Sequence, residues 1–308
     1  MTYPALQFPG YLSLRSPALP HSGSRAMIDA HIHVVPPNLP GVGSLAPTLK
    51  LPPDAVAAAV AAEMRAAGVE QAFAMGEWSA PPDDPLGIEK TLKIAALVPG
   101  LKPIGVADPV KGADPDHLRR VEAELARGRV VALKGYLGYL HYEPAHTNYR
   151  RYYELAARYK IPVVFHAGDT YSPYAKLKYA HPLGIDEVAV DHPETRFVIA
   201  HAGNPWLADA AQVVYKNMNV WADLSGLVVG DASVFASDEY RDTLADLAAN
   251  LRRAFRYAER PNRFVFGTDW PLIPIAPYRQ FIASVIPSEY HPEVFADNAR
   301  VLFRAMSS

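Results

Sequence analysis

Five short apolar segments of this 308-residue chain each end in a group that can bind a metal or carry a proton. They run Ile28-Asp29-Ala30-His31-Ile32-His33, Val130 to Lys134, Ile161 to His166, Phe197 to His201 and Phe264 to Asp269. A β-branched or aromatic run with a polar end reads as a buried parallel strand whose carboxyl end opens onto a site. His31 and His33 stand two residues apart, so strand alternation sends both imidazoles to one face, where they can grip one ion. A lone His166 or His201 would more often be a hydrogen-bonded core residue than a ligand. Taken together, the ends supply four imidazoles, one carboxylate and one lysine, enough for a metal centre assembled from separate strands.

Such a centre needs a scaffold that brings strand ends together, and the rest of the chain supplies the signs of one. From Pro53 to Gly68, Val56, Val60 and Met64 recur four apart, with Asp54 near the start and a glycine at the end, the pattern of an amphipathic helix. Short apolar runs follow at 71–75 and 103–107, with helical patterns near 88–98 and 114–126. Helices are expected at 149–159, 185–190, 207–215 and 240–257, a seventh strand at 219–224, and two helices after the eighth strand. Eight strands alternating with helices predict a (β/α)8 TIM barrel, whose strand ends meet at the carboxyl face where active sites sit. The turn after the first strand reads Val34-Val35-Pro36-Pro37, which cannot cradle a pyrophosphate, so a dinucleotide-binding open sheet is disfavoured. In a barrel mouth, polar ends without an ion would be poorly satisfied at about 1–3 kcal/mol each. A bound zinc returns on the order of 10 kcal/mol.

Composition narrows the chemistry. Half the residues are hydrophobic, and the net charge of -2 provides no pull toward nucleic acid or a membrane surface. The chain has no cysteine, which excludes disulfides, thiol nucleophiles and thiolate sites. Nitrogen and oxygen ligands suit zinc, manganese, iron or nickel. Residues 1–26 carry Pro4, Pro9, Pro17 and Pro20 and no apolar run long enough for a signal core or a span. They are expected to form a loosely attached arm ahead of a single barrel domain at 27–308 in a cytoplasmic protein, with Met27 an alternative start to Met1. No interface signature is visible, and a homodimer stays open.

The motifs Met27-Ile28-Asp29-Ala30-His31-Ile32-His33, Pro162 to Gly168, Val198 to Gly203, Gly267-Thr268-Asp269-Trp270-Pro271 and Asn298-Ala299-Arg300 carry a resemblance. The chain resembles the amidohydrolase superfamily, in the branch named after aminocarboxymuconate semialdehyde decarboxylase, from residue 27 to about 303. The resemblance implies that His31, His33, His166 and Asp269 hold a divalent metal, usually zinc, and that His201 faces the substrate or a second ion. Lys134 is then either a carboxylated lysine bridging two ions or an ordinary lysine that binds a substrate carboxylate.

The reaction expected is metal-assisted hydrolysis of a small lactone, ester or amide, with Asp269 and His201 as catalytic groups. Decarboxylation of a small unsaturated or aromatic acid is the alternative, and a barrel that binds metal without turnover a third. Lys134, Tyr136, Trp78, Asn204 and Trp270 are candidate substrate contacts, with Tyr139, Asp169 and Tyr171 on neighbouring loops and Ser225 a weaker one. Asp29 is expected on the same side as His31, orienting a ligand.

Overall fold

The computed structural model describes residues 26–303. Its strands are β1 (Met27–Ile32), β2 (Val69–Met75), β3 (Leu101–Val106), β4 (Leu133–Gly135), β5 (Val163–Phe165), β6 (Phe197–Ile199), β7 (Val220–Asp223) and β8 (Phe264–Val265). They pair in chain order and in parallel. The ring closes where Ala30 N donates to Phe266 O, Asp269 N to His31 O and His33 N to Trp270 O. The helices are α1 (Pro53–Ala67), α2 (Glu89–Ala95), α3 (Pro115–Ala126), α4 (Thr147–Tyr159), α5 (Leu183–Asp191), α6 (Leu207–Lys216), α7 (Arg241–Ala258), α8 (Ile275–Val285) and α9 (Asn298–Leu302). This is the (β/α)8 TIM barrel that the alternation of patterns predicts.

Local chemistry explains the elements. Helix α1 starts on a proline at its first turn, buries Val56, Val60 and Met64, and stops at Gly68 in the left-handed conformation, φ 72°. The strands are shorter than the apolar runs imply. The β8 ladder, for example, ends at Val265, four residues before Asp269, because the chain leaves the sheet to line the mouth. The expected N-terminal arm lies outside the described residues apart from Ala26, whose carbonyl accepts a bond from Arg300 at 2.6 Å. Among the described residues, no helix is long and apolar enough to cross a membrane.

Two apolar layers follow from strand alternation. One takes residues from seven of the strands and from Val131 and Ala132 just ahead of β4, including Ile28, Phe73, Ile104, Val164, Trp221 and Val265, and is the barrel interior. Phe303 plugs its lower end against Phe73, with ring centroids 4.7 Å apart. The other layer takes the alternate residues, such as Ile32, Leu133, Phe165 and Phe266, and packs them against the helices. Continuing the interior face by twos carries Ala132 to Lys134, Val164 to His166, Trp221 to Asp223 and Val265 through Gly267 to Asp269.

Strand β1 needs a correction to this rule. Ile28 and Ala30 face the interior, yet so do His31 and His33. The register explains it: Asp29 pairs with Ala72 but Ile32 with Ala74, so one extra residue sits in β1. This bulge shifts the phase, turns both imidazoles inward and sends Ile32 to the helices. Asp29 therefore does not share His31's face as alternation predicts. Its carboxylate accepts from Thr268 Oγ1 at 2.6 Å and Thr268 N at 3.0 Å, stitching β1 to the segment after β8. Burial pushes Asp29 up to about 7.

Candidate functional site

At the carboxyl mouth a cavity of about 250 Å³ has His31, His33, Lys134, His166, His201 and Asp269 in its walls. His31 Nε2 and His33 Nε2 lie 3.5 Å and 3.4 Å from Asp269 Oδ1. The three residues offer ligand atoms within 4.8 Å of one another. Asp269 Oδ1 is buried and has no hydrogen-bond partner among the described residues, an arrangement that costs free energy unless a cation meets the oxygen. Lys134, 1% exposed, places Nζ 3.4 Å from His31 Nε2.

The ring nitrogens can be assigned from their partners. His31 Nδ1 lies 2.9 Å from Asp223 Oδ2 and donates to it, which leaves the Nε2 lone pair facing Asp269. His166 Nε2 can only donate to the Asp169 carbonyl at 2.8 Å, so its Nδ1 is a lone pair. Ser225 gives its hydroxyl proton to Asp223, so His201 Nδ1 donates to Ser225, 2.9 Å from Oγ and 3.2 Å from the carbonyl. His201 Nε2 is then also a lone pair, and it stands 3.1 Å from His166 Nδ1. Two lone pairs pointed at each other repel unless a cation or proton comes between them. Both this pair and the orphaned Asp269 oxygen fit a divalent ion.

Electrostatics favour the same state. Burial holds His31 low, His166 well below the usual imidazole range, and His201 down at about 4, so their lone pairs are available. Burial acts to raise the Asp269 carboxyl, but His33, His31 and His201 together hold it well below the usual range. Burial pushes Lys134 down to about 8, against the pull of Asp223 and Asp269.

Residue type alone does not single out Asp223, although it ends the seventh strand and continues the interior face from Trp221. A second grouping of His31, His201 and Asp223 also has ligand spacing. Asp223, however, spends Oδ1 on the His201 and Ser225 amides and Oδ2 on His31, so it orients imidazoles and has little capacity left for an ion. Burial acts to raise it, and His31 holds it well below the usual carboxylate range. Two glycines make room for the cluster. A Cβ on Gly267 would sit 2.9 Å from His31 Cβ, and one on Gly226 (φ 62°) would sit 2.7 Å from His201 Nδ1. His201 itself occupies a left-handed turn, φ 57°, which swings a residue of the outward-facing register back over the mouth.

Of the expected substrate contacts, Lys134, Tyr136 and Asn204 line the cavity, as do Tyr139, Asp169 and Tyr171. Trp78 and Trp270 do not. Trp78 Nε1 donates to Asp108 at 3.1 Å, which turns the indole aside. Trp270 follows inward-facing Asp269, so alternation buries it against the helix-facing core.

Eight β/α units with a buried His/Asp cluster at the carboxyl mouth define an enzyme-type TIM barrel able to hold a metal. The chain belongs to the amidohydrolase family, whose profile matches residues 28–305. No curated protein matches the chain by sequence. Among solved structures, an uncharacterised TIM-barrel protein from Bordetella bronchiseptica superposes with a TM-score of 0.63 at 18% identity, over 91% of this chain and 98% of its own. A probable 2-pyrone-4,6-dicarboxylic acid hydrolase from Acinetobacter baumannii gives 0.60 at 14% identity, over 91% of this chain and 100% of its own. A 5-carboxyvanillate decarboxylase from Novosphingobium aromaticivorans, complexed with manganese, gives 0.52 at 13% identity, over 79% of this chain and 78% of its own. At these identities the likeness speaks for the fold.

Proposed function

We propose that this protein is a metal-dependent hydrolase that activates water to cleave a small lactone, ester or amide. The observation that carries the reading is the convergence of His31 Nε2, His33 Nε2 and the unpartnered Asp269 Oδ1 on the wall of a cavity of small-molecule size. In this reading His31, His33, His166 and Asp269 hold one divalent ion, zinc first, with manganese, iron or nickel as substitutes. When bound, the ion supplies Lewis acidity, polarising a carbonyl and lowering the pKa of water to about 7.

The chain's own groups do the rest. Asp269, whose carboxyl the neighbouring imidazoles hold below the usual range, accepts a proton at a carboxylate oxygen and passes it to the leaving group. With Nδ1–H committed to Ser225, His201 acts through the Nε2 lone pair, as a proton acceptor or a further ligand. Lys134, cationic below about 8, is placed to steady developing negative charge. Tyr139 keeps the loop after β5 over the cavity, accepting a bond from Tyr171 N at 3.0 Å.

The buried charge of Lys134 favours one second reading, decarboxylation of a small unsaturated or aromatic carboxylic acid whose carboxylate pairs with it. Elemental analysis of untagged protein, before and after His33→Ala, tests the centre. About one ion per chain, lost in the variant, supports it. Two ions with Lys134 carboxylated would make the hydrolase binuclear, and no metal in either protein would end the proposal. On substrate panels, incorporation of oxygen-18 from water marks the hydrolase, and release of carbon dioxide the decarboxylase.

A further inference from the structure

Away from the His/Asp cluster the cavity lining is mostly apolar. Leu39, Val42 and Leu45 from the loop after β1, Leu227 and Val229 after β7, and Leu272 after β8 form an aliphatic wall. Tyr136, Tyr139 and Tyr171, from the loops after β4 and β5, also line it. Leu39 and Val42 pack with Tyr136 and Tyr139 in one apolar cluster. The tyrosines' polar capacity is largely used: Tyr136 OH donates to Gly76 O at 2.6 Å, and Tyr139 OH accepts the Tyr171 amide.

Cationic side chains in the cavity are sparse. Among the described residues that line it, Lys134 is the one lysine or arginine, and it lies deep beside His31. Toward the exposed rim the charged liner is Asp169, an anion. A substrate with one carboxylate can set it against Lys134. A second carboxylate would lie against aliphatic side chains or near Asp169, with no cationic side chain to pair with it.

We infer that the substrate is a compact molecule with an apolar substituent and at most one anionic group, and that polycarboxylates are refused. The inference deepens the hydrolase proposal, on which it rests for the bond that reacts. The apolar substituent lies along the aliphatic wall, and the reacting carbonyl points to the His/Asp cluster.

Calorimetric binding to the metal-loaded and the metal-free protein, separate from turnover, provides the test. The probes are dihydroquinolinone (a neutral bicyclic lactam), benzoate and isophthalate. The lactam is expected to bind about tenfold or more tightly than isophthalate in both forms. Val42→Arg and Val229→Arg place a cation on the half-exposed parts of the wall, and either should narrow that gap by about tenfold. Equal affinities, isophthalate binding the more tightly, no binding by any probe, or a gap unmoved in both folded variants would each overturn the inference. Turnover of dihydrocoumarin is measured in parallel. Its absence, with the lactam preference intact, removes the hydrolase reading and leaves the preference standing.

Discussion

The floor and the mouth of the barrel interior are built on the same faces of the same strands, yet they are chemically opposite. At the floor, Ile28, Phe73, Ile104, Val164, Trp221 and Val265 pack around Phe303, each gaining about 1.5–3 kcal/mol from burial. Two to four residues further along, Lys134, His166, Asp223 and Asp269 are equally hidden from water and hold charge or open lone pairs. Burial that stabilises the lower layer works against the upper one, which keeps its charges only through mutual hydrogen bonds and ion pairing. Stability and reactivity are therefore stacked along each strand and not assigned to separate elements.

Substitutions on the two levels should separate these properties. The largest effect is expected for Asp269→Asn, which removes both a ligand and the proton acceptor. Steady-state kinetics should show a loss of about 10³-fold in kcat/KM, with the thermal unfolding of the metal-free protein little changed. Phe73→Ala, at the floor, should do the reverse. Urea denaturation should register a loss of about 3–4 kcal/mol, while kcat/KM of the folded fraction stays at the wild-type value. Should activity fall in step with stability, the two levels are coupled and the contrast fails.

Asp223→Asn sharpens the boundary, since it touches no substrate and supports His31 from behind. Chelator competition should show metal affinity reduced by about 10–100-fold. The smallest effect lies outside the barrel. His117 on α3 sits 2.9 Å from Tyr152 OH, and burial lowers its pKa. The unfolded chain takes up that proton first, so stability is full above the ordinary histidine pKa of about 6.5 and declines as pH falls below it. His117→Gln should flatten that acid limb of the stability curve and leave the rest of it in place.

The barrel was largely legible because buried parallel strands are written as contiguous apolar runs, and the polar residue after each run marks the mouth. Lys134, His166 and Asp269 needed only counting by twos. The bulge in β1 has no such signature: Asp29-Ala30-His31 reads as ordinary alternation, which puts Asp29 on the wrong face. The left-handed turn at His201 is likewise a backbone event invisible in residue types. Asp223 was hidden for another reason. A carboxylate after Trp221-Ala222 looks like any strand terminus until three-dimensional closure sets it beside His31. Trp78 follows β2 and Trp270 follows Asp269, positions that suggest the mouth, but a hydrogen bond to Asp108 and the pleat turn them away.

The loop-borne lining of the cavity also bears on how such a protein changes its diet. The aliphatic side chains hang on the connectors after β1, β7 and β8, and the tyrosines on those after β4 and β5. The reacting groups stand closer to the sheet: His31 on β1, His33 and His166 directly after β1 and β5, and Asp269 four residues past β8. Insertion or exchange farther out along one connector can change the lining while those groups keep their places. New tastes can thus be acquired one connector at a time, each intermediate keeping a working centre.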